Sequence, residues 1–128
     1  MSQPETANDN PRKARILIVE DEAILAFTME ESLIDAGFEI AGVAGRIESA
    51  LSMIETRAFD AAILDTNLAG VSAGPAAMAL RASGRPFVVA SGYLPSQQQE
   101  AFVGAPCIQK PYPPEMLIQA LWDVLPAQ

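Results

Sequence analysis

The sequence predicts an α/β fold: a doubly wound, five-stranded parallel sheet with helices on both faces. Three observations predict it. Compact apolar runs recur along the chain, clearest at Arg15–Val19, Ala61–Leu64 and Phe87–Ala90, as strands buried on both faces require. Amphipathic helical stretches separate these runs, and glycines close the helices. The strands run out into polar or charged residues, Glu20-Asp21, Asp65, Ser91 and Lys110, and ligands gather at that C-terminal edge of an open parallel sheet.

Met1 to Lys13 is polar and aperiodic, which predicts a disordered or loosely packed tail before one domain over residues 14–128. Arg15–Val19 forms the first strand and ends in Glu20-Asp21-Glu22. Helix follows from Glu22 to Ala36, with Leu25, Met29, Leu33 and Ala36 on one face and Gly37 as its stop. Phe27 and Ile34 fall on roughly the opposite side. They mark either a partner-docking face or scattered apolar residues touching nearby loops.

Phe38–Val43 alternates as a second strand, and Ile47–Arg57 is helical with Ile47, Leu51 and Ile54 on one stripe. Asp60–Asp65 is the third strand, and Ala73–Ser83 a small-residue helix ended by Gly84. Pro86–Ala90 is the fourth strand, reaching Ser91-Gly92-Tyr93. Ser96–Gln99 has capping-box form, opening a brief helix that Val103–Pro106 interrupts. Cys107–Gln109 makes a short fifth strand. Pro113-Pro114 then starts a last helix whose inner stripe is Leu117, Leu121 and Val124, widened by Ile118, Trp122 and Leu125. Short connections and right-handed crossovers give the strand order 2-1-3-4-5.

Bulk properties narrow the function. The 128 residues carry a net charge of −8 and a pI near 4.3, which argues against nucleic acid and against an anionic membrane surface as partners. No apolar run reaches the length of a membrane span, and the polar N-terminus lacks the core of a signal peptide, so a cytoplasmic location is expected. The single cysteine, Cys107, excludes an internal disulfide and a cysteine-built metal site. The chain contains no histidine. That removes Ser-His-Asp and Cys-His catalysis and His-ligated zinc, and any phosphohistidine must sit on another molecule.

The order 2-1-3-4-5 makes the first and third strands neighbours, so Asp21 and Asp65 meet at the topological switch point. Asp65 is either a nucleophile or metal ligand, or a cap for the following turn. Clustered carboxylates repel unless a cation sits among them, and oxygen-only donors suit Mg²⁺. Lys110 adds a positive charge and Ser91 a hydroxyl at the same edge. Together these groups suit metal-assisted phosphoryl transfer to an aspartate; singly, each also fits a solvated ion cluster.

The motifs Ile16-Leu17-Ile18-Val19-Glu20-Asp21-Glu22, Ile63-Leu64-Asp65-Thr66-Asn67-Leu68, Ala90-Ser91-Gly92-Tyr93 and Lys110-Pro111 resemble those of the CheY-like receiver domain of two-component response regulators. The likeness covers about residues 14–126. It implies the flavodoxin/CheY-like fold and a phosphoprotein of phosphorelay signal transduction. By resemblance, Asp65 is the phosphoacceptor, and Mg²⁺ is held by Asp21, Asp65, the backbone carbonyl of Asn67 and, through water, Glu20. Ser91 is the switch hydroxyl. Lys110 contacts the phosphoryl group, and its bond to Pro111 is expected to be cis.

Two departures stand out. Cys107 occupies the position where many receivers carry the aromatic half of the switch, and it reads as a small buried apolar side chain. Val89-Ala90-Ser91-Gly92-Tyr93 is similar to the Phe-Ala-Thr-Gly-Tyr variant of some stand-alone receivers, whose usual partners are kinases of the HWE type. There, Tyr93 either takes the aromatic switch role or makes a structural contact. Ala69 replaces a frequent proline, for which a looser loop is expected.

The expected function is that of a single-domain response regulator, a signalling protein and not a conventional enzyme. Its donor would be a sensor histidine kinase or histidine phosphotransfer protein, and its output an unidentified protein. One competing expectation is an aspartyl-phosphate phosphohydrolase similar to the haloacid dehalogenases, although Asn67 stands where those enzymes carry a second Asp. The other is a degenerate receiver that acts as a scaffold.

Overall fold

The computed structural model describes residues 12–92 and 100–126. Five strands form one parallel sheet: β1 (Arg15–Val19), β2 (Glu39–Ala44), β3 (Ala61–Asp65), β4 (Phe87–Ser91) and β5 (Cys107–Gln109). Their order is β2-β1-β3-β4-β5, as the sequence predicts. Among the described residues, four α-helices accompany the sheet: α1 (Ala23–Asp35), α2 (Ile47–Thr56), α3 (Gly74–Ala82) and α4 (Pro114–Val124).

Every residue of β3 and β4 is buried, because helices cover both faces of the central strands. Alternate residues feed two cores. Leu17, Val19, Leu64 and Val89 pack with Ala50 and Ile54 of α2 and Ala76, Ala77 and Leu80 of α3. Ile16, Ile18, Ile63 and Val88 pack on the other face with Met29 and Leu33 of α1 and Leu117 and Leu121 of α4. Gly37 (φ 100°) and Gly84 (φ 72°) close α1 and α3. In each, the glycine and the residue after it donate back: Gly37 N to Ile34 O and Phe38 N to Leu33 O, and Gly84 N to Arg81 O and Arg85 N to Leu80 O. Only a left-handed residue permits that closure, and glycine adopts it without steric cost.

The structure corrects several local expectations. β2 is displaced by one residue from the predicted Phe38–Val43, because Phe38 is buried ahead of the strand and packs its ring on Trp122, centroids 4.6 Å apart. Trp122 itself stays 45% exposed, so it covers Phe38 and does not widen the core stripe as expected. Leu51 is exposed although the stripe of α2 included it; Ala50 faces the sheet instead, where a small side chain lets the helix approach.

No loosening follows Asp65. Asn67–Leu68 and Val71–Ser72 pair antiparallel in a tight hairpin, turned by Ala69 (φ 52°) and Gly70 (φ 87°). Asn67 Oδ1 accepts from Gly70 N at 2.8 Å and closes it.

Glu100–Phe102 is a 3₁₀ turn rather than part of an α-helix. Arg81 holds it through Nε–H to Ala101 O at 3.2 Å and Nη2–H to Val103 O. The predicted cap at Ser96–Gln99, Tyr93 and residues 1–11 lie outside the described residues. Arg12, at the end of the expected tail, forms a two-pronged pair with Asp60 at 3.0 and 3.1 Å, which holds the Asp60 carboxyl below its ordinary range.

Candidate functional site

The tips of β1, β3 and β5 converge at the C-terminal edge of the sheet. Register fixes this: Val19 pairs with Leu64, so the residues that follow, Glu20 and Asp65, emerge together. Carboxylate oxygens of Glu20, Asp21 and Asp65 all lie within 4.8 Å of one another. Glu20 is 2% exposed, Asp65 is also buried, and Asp21 is exposed.

Lys110 reaches across from the end of β5. Its Nζ donates to Glu20 Oε1 at 3.0 Å and to Asp65 Oδ2 at 3.1 Å. Burial disfavours its charge, yet the bonds and charges of Glu20 and Asp65 outweigh this and raise the ammonium above its ordinary value. Glu20 moves the other way from a usual carboxylate: burial pushes it up to about 6, against the opposing bonds from Glu22 N–H and Lys110.

Backbone donors hold one oxygen of each carboxylate. Glu20 Oε2 accepts from Glu22 N at 3.1 Å, Asp65 Oδ1 from Asn67 N at 3.3 Å, and Asp21 Oδ2 from Ala69 N at 3.0 Å. The last bond ties the hairpin to the end of β1. The Lys110–Pro111 peptide is cis, as expected, and Lys110 N donates to Ser91 O at 2.7 Å, so β4 and β5 tips are joined by backbone. Ser91 is fully buried, and its hydroxyl lies 3.1 Å from that of Thr66. Cys107 is half-buried against the α2–α3 core. Phe27 and Ile34 stand apart from this cluster on the outer face of α1, 60% and 54% exposed, joined by Ile24 at 84%.

Sequence reasoning did not single out Thr66 or Tyr112. The Tyr112 hydroxyl is buried and unpartnered among the described residues, and burial pushes it up to about 12. It borders a cavity of about 400 Å³ between α1 and α4, with Leu25, Met29, Pro111 and Leu117. Its place directly after Lys110-Pro111 was the available signal.

A carboxylate cluster beside a lysine, at the switch point of a parallel sheet, has known counterparts. The family model of the response regulator receiver domain matches residues 16–122. The transcriptional regulatory protein PdtaR of Mycobacterium tuberculosis is 35% identical over 68 residues, 53% of this chain, and the match spans only 33% of that protein's length. The solution structure of SdrG from Sphingomonas melonis Fr1 is 35% identical, with TM-score 0.76 over 88% of this chain and 96% of that one. The Vibrio cholerae chemotaxis protein CheY4 is 26% identical, with TM-score 0.78 over 89% of this chain and all (100%) of that one. No helix among the described residues is long and apolar enough to cross a membrane. Fold, strand order and family model agree: the chain belongs to the response regulator receiver domain family.

Proposed function

We propose that this domain accepts a phosphoryl group on Asp65 from a phosphohistidine of a sensor histidine kinase or histidine phosphotransfer protein. The observation that carries it is the pairing of one buried carboxylate, Asp65, with an ammonium on one side and two further carboxylates on the other, all at the ligand-binding edge of the sheet. The absence of histidine supports an external donor.

The donor set fits a hard divalent ion. Three carboxylates in one 4.8 Å cluster face the single ammonium of Lys110, and oxygen donors suit Mg²⁺. Glu20, Asp21, Asp65 and the backbone carbonyl of Asn67 would hold it. Bound there, the ion supplies charge neutralisation, letting an anionic phosphoryl group approach an anionic nucleophile.

In the transfer, a carboxylate oxygen of Asp65 forms a bond to phosphorus as the phosphorus–nitrogen bond to the donor imidazole breaks. Lys110 then pairs with a phosphoryl oxygen in place of its bond to the Asp65 carboxylate, and Ser91 offers a hydroxyl to another. No group here needs a perturbed general base, because Asp65 attacks as the carboxylate. The stretch Val89–Tyr93 supports assignment to the Phe-Ala-Thr-Gly-Tyr-like variant and so an HWE-type kinase, with Tyr93 as an aromatic element of the switch. The exposed stripe of Phe27 and Ile34 supports a docking face on α1.

Radiolabelled acetyl phosphate with Mg²⁺ tests the core of this. The wild type should label, and labelling should fail with excess EDTA or in Asp65→Asn. Catalytic turnover of a soluble phosphate ester would instead favour a phosphohydrolase. Partner binding without any labelling would favour a scaffold.

A further inference from the structure

The register of β3 and β4 runs from Ala62 beside Phe87 to Asp65 beside Ala90. Thr66 and Ser91 are the next residues along, and their hydroxyls meet at 3.1 Å, both residues buried. Both backbones are pinned at the same level: Thr66 O accepts from Ala73 N at 2.9 Å, and Ser91 O from Lys110 N at 2.7 Å.

We propose that Thr66 is a positioning residue for Ser91, holding its hydroxyl in the unphosphorylated domain and so setting how readily Ser91 turns to a phosphoryl group on Asp65. This rests on the reading of Asp65 as phosphoacceptor and Ser91 as its hydroxyl partner. Buried hydroxyls hold their partners firmly, since leaving one unmade costs more than a bond is worth in water. A hydroxyl carries a single proton. Either hydroxyl can donate across the 3.1 Å contact; when the Ser91 side chain swings to a charged phosphoryl oxygen, a stronger acceptor, its oxygen leaves Thr66 and the contact is given up in both cases. Thr66 therefore stabilises the unphosphorylated arrangement alone. Its neighbour in sequence is the acceptor itself, so the hold is applied one residue from the chemistry.

Thr66→Val keeps the branched shape and removes the hydroxyl; Thr66→Ala removes it without bulk; Thr66→Ser retains it. The probe is beryllium fluoride with Mg²⁺, a stable mimic of the phosphoryl group, titrated calorimetrically into the full chain. Thr66→Val and Thr66→Ala should bind it about fivefold more tightly, the factor for one hydrogen bond of ordinary net strength (about 1 kcal/mol). Thr66→Ser should return to the wild-type affinity. In a Ser91→Ala background the gain should vanish, because the group being held is gone. Unchanged or weaker binding in both Thr66→Val and Thr66→Ala overturns the proposal, as does an equal gain with Ser91→Ala. If wild type and all variants bind no beryllium fluoride, the Asp65 reading itself fails, and the role of Thr66 with it.

Discussion

Replacing Lys110 by methionine removes the ammonium that bridges Glu20 and Asp65 while keeping the length of the side chain. The two carboxylate side chains are 1% and 10% exposed, so water cannot take over the lost charge. Removing one partner of a buried pair costs about 3–5 kcal/mol. Two effects reduce that here. Lys110 no longer has to be desolvated, and Glu20, already pushed up to about 6, can take a proton. The expected loss is about 3 kcal/mol at pH 7.5 without metal, a fall of roughly 10 °C in Tm for a domain of this size. Urea denaturation in EDTA measures it. Two conditions should restore stability. Mg²⁺ at a hundred times its Kd adds about 2.7 kcal/mol to a form that binds it, and the variant, with more uncompensated charge, has the greater need of the ion. At pH 5 Glu20 is protonated in either protein, so the deficit should shrink there as well. A deficit below about 1 kcal/mol in EDTA, or one indifferent to both Mg²⁺ and pH, would refute the charge-compensation account of this cluster.

Other outcomes follow from the same structure. Glu20 is raised from 4.5 to about 6, chiefly by burial, so the native state binds a proton that the unfolded chain has released. Its contribution to metal-free stability is fully present below pH 4.5 and is lost as pH rises through about 6. Glu20→Gln should flatten that part of the urea-midpoint profile, and Mg²⁺ affinity of the wild type should rise through the same window as the carboxylate ionises. Ala69→Gly should stabilise the domain by about 0.5–1 kcal/mol in denaturation. The relief of a left-handed alanine (about 1–2 kcal/mol) exceeds the entropy that glycine adds to the unfolded chain. Phe27→Ala with Ile34→Ala should leave acetyl phosphate labelling and stability near wild type, since both residues are exposed, yet slow transfer from a phosphohistidine donor about tenfold, as loss of docking anchors does.

The central strands and the acidic cluster were legible in the sequence for the same reason. Burial on two faces leaves a strand no room for polar residues until its tip, so Glu20, Asp21 and Asp65 announce themselves by ending apolar runs. Lys110 was legible through its place after a fifth short run. What failed rested on a single small residue, on very short strands or on side-chain partners far along the chain. Leu51 outweighed Ala50 as a core candidate because periodicity is read from large side chains, whereas close helix–sheet packing favours the small one. The hairpin after Asp65 has strands of two residues each, too short for a pattern. Arg85 donates to Ile54 O and Arg57 O at the end of α2 and lies 3.9 Å over the Phe59 ring. Nothing local in the chain ties it to that helix. The bond between Thr66 and Ser91 spans 25 positions and becomes visible only once the register of β3 against β4 is known.

The most direct measurement is chemical mapping of the phosphorylated residue. An aspartyl phosphate is reduced by borohydride to homoserine, which marks its position by mass. After phosphorylation with Mg²⁺ and reduction, homoserine should appear at position 65 and nowhere else. Homoserine at position 21, the corresponding reduction product at Glu20, or no reduced residue in a protein that has taken up label would contradict the assignment of Asp65 as the acceptor.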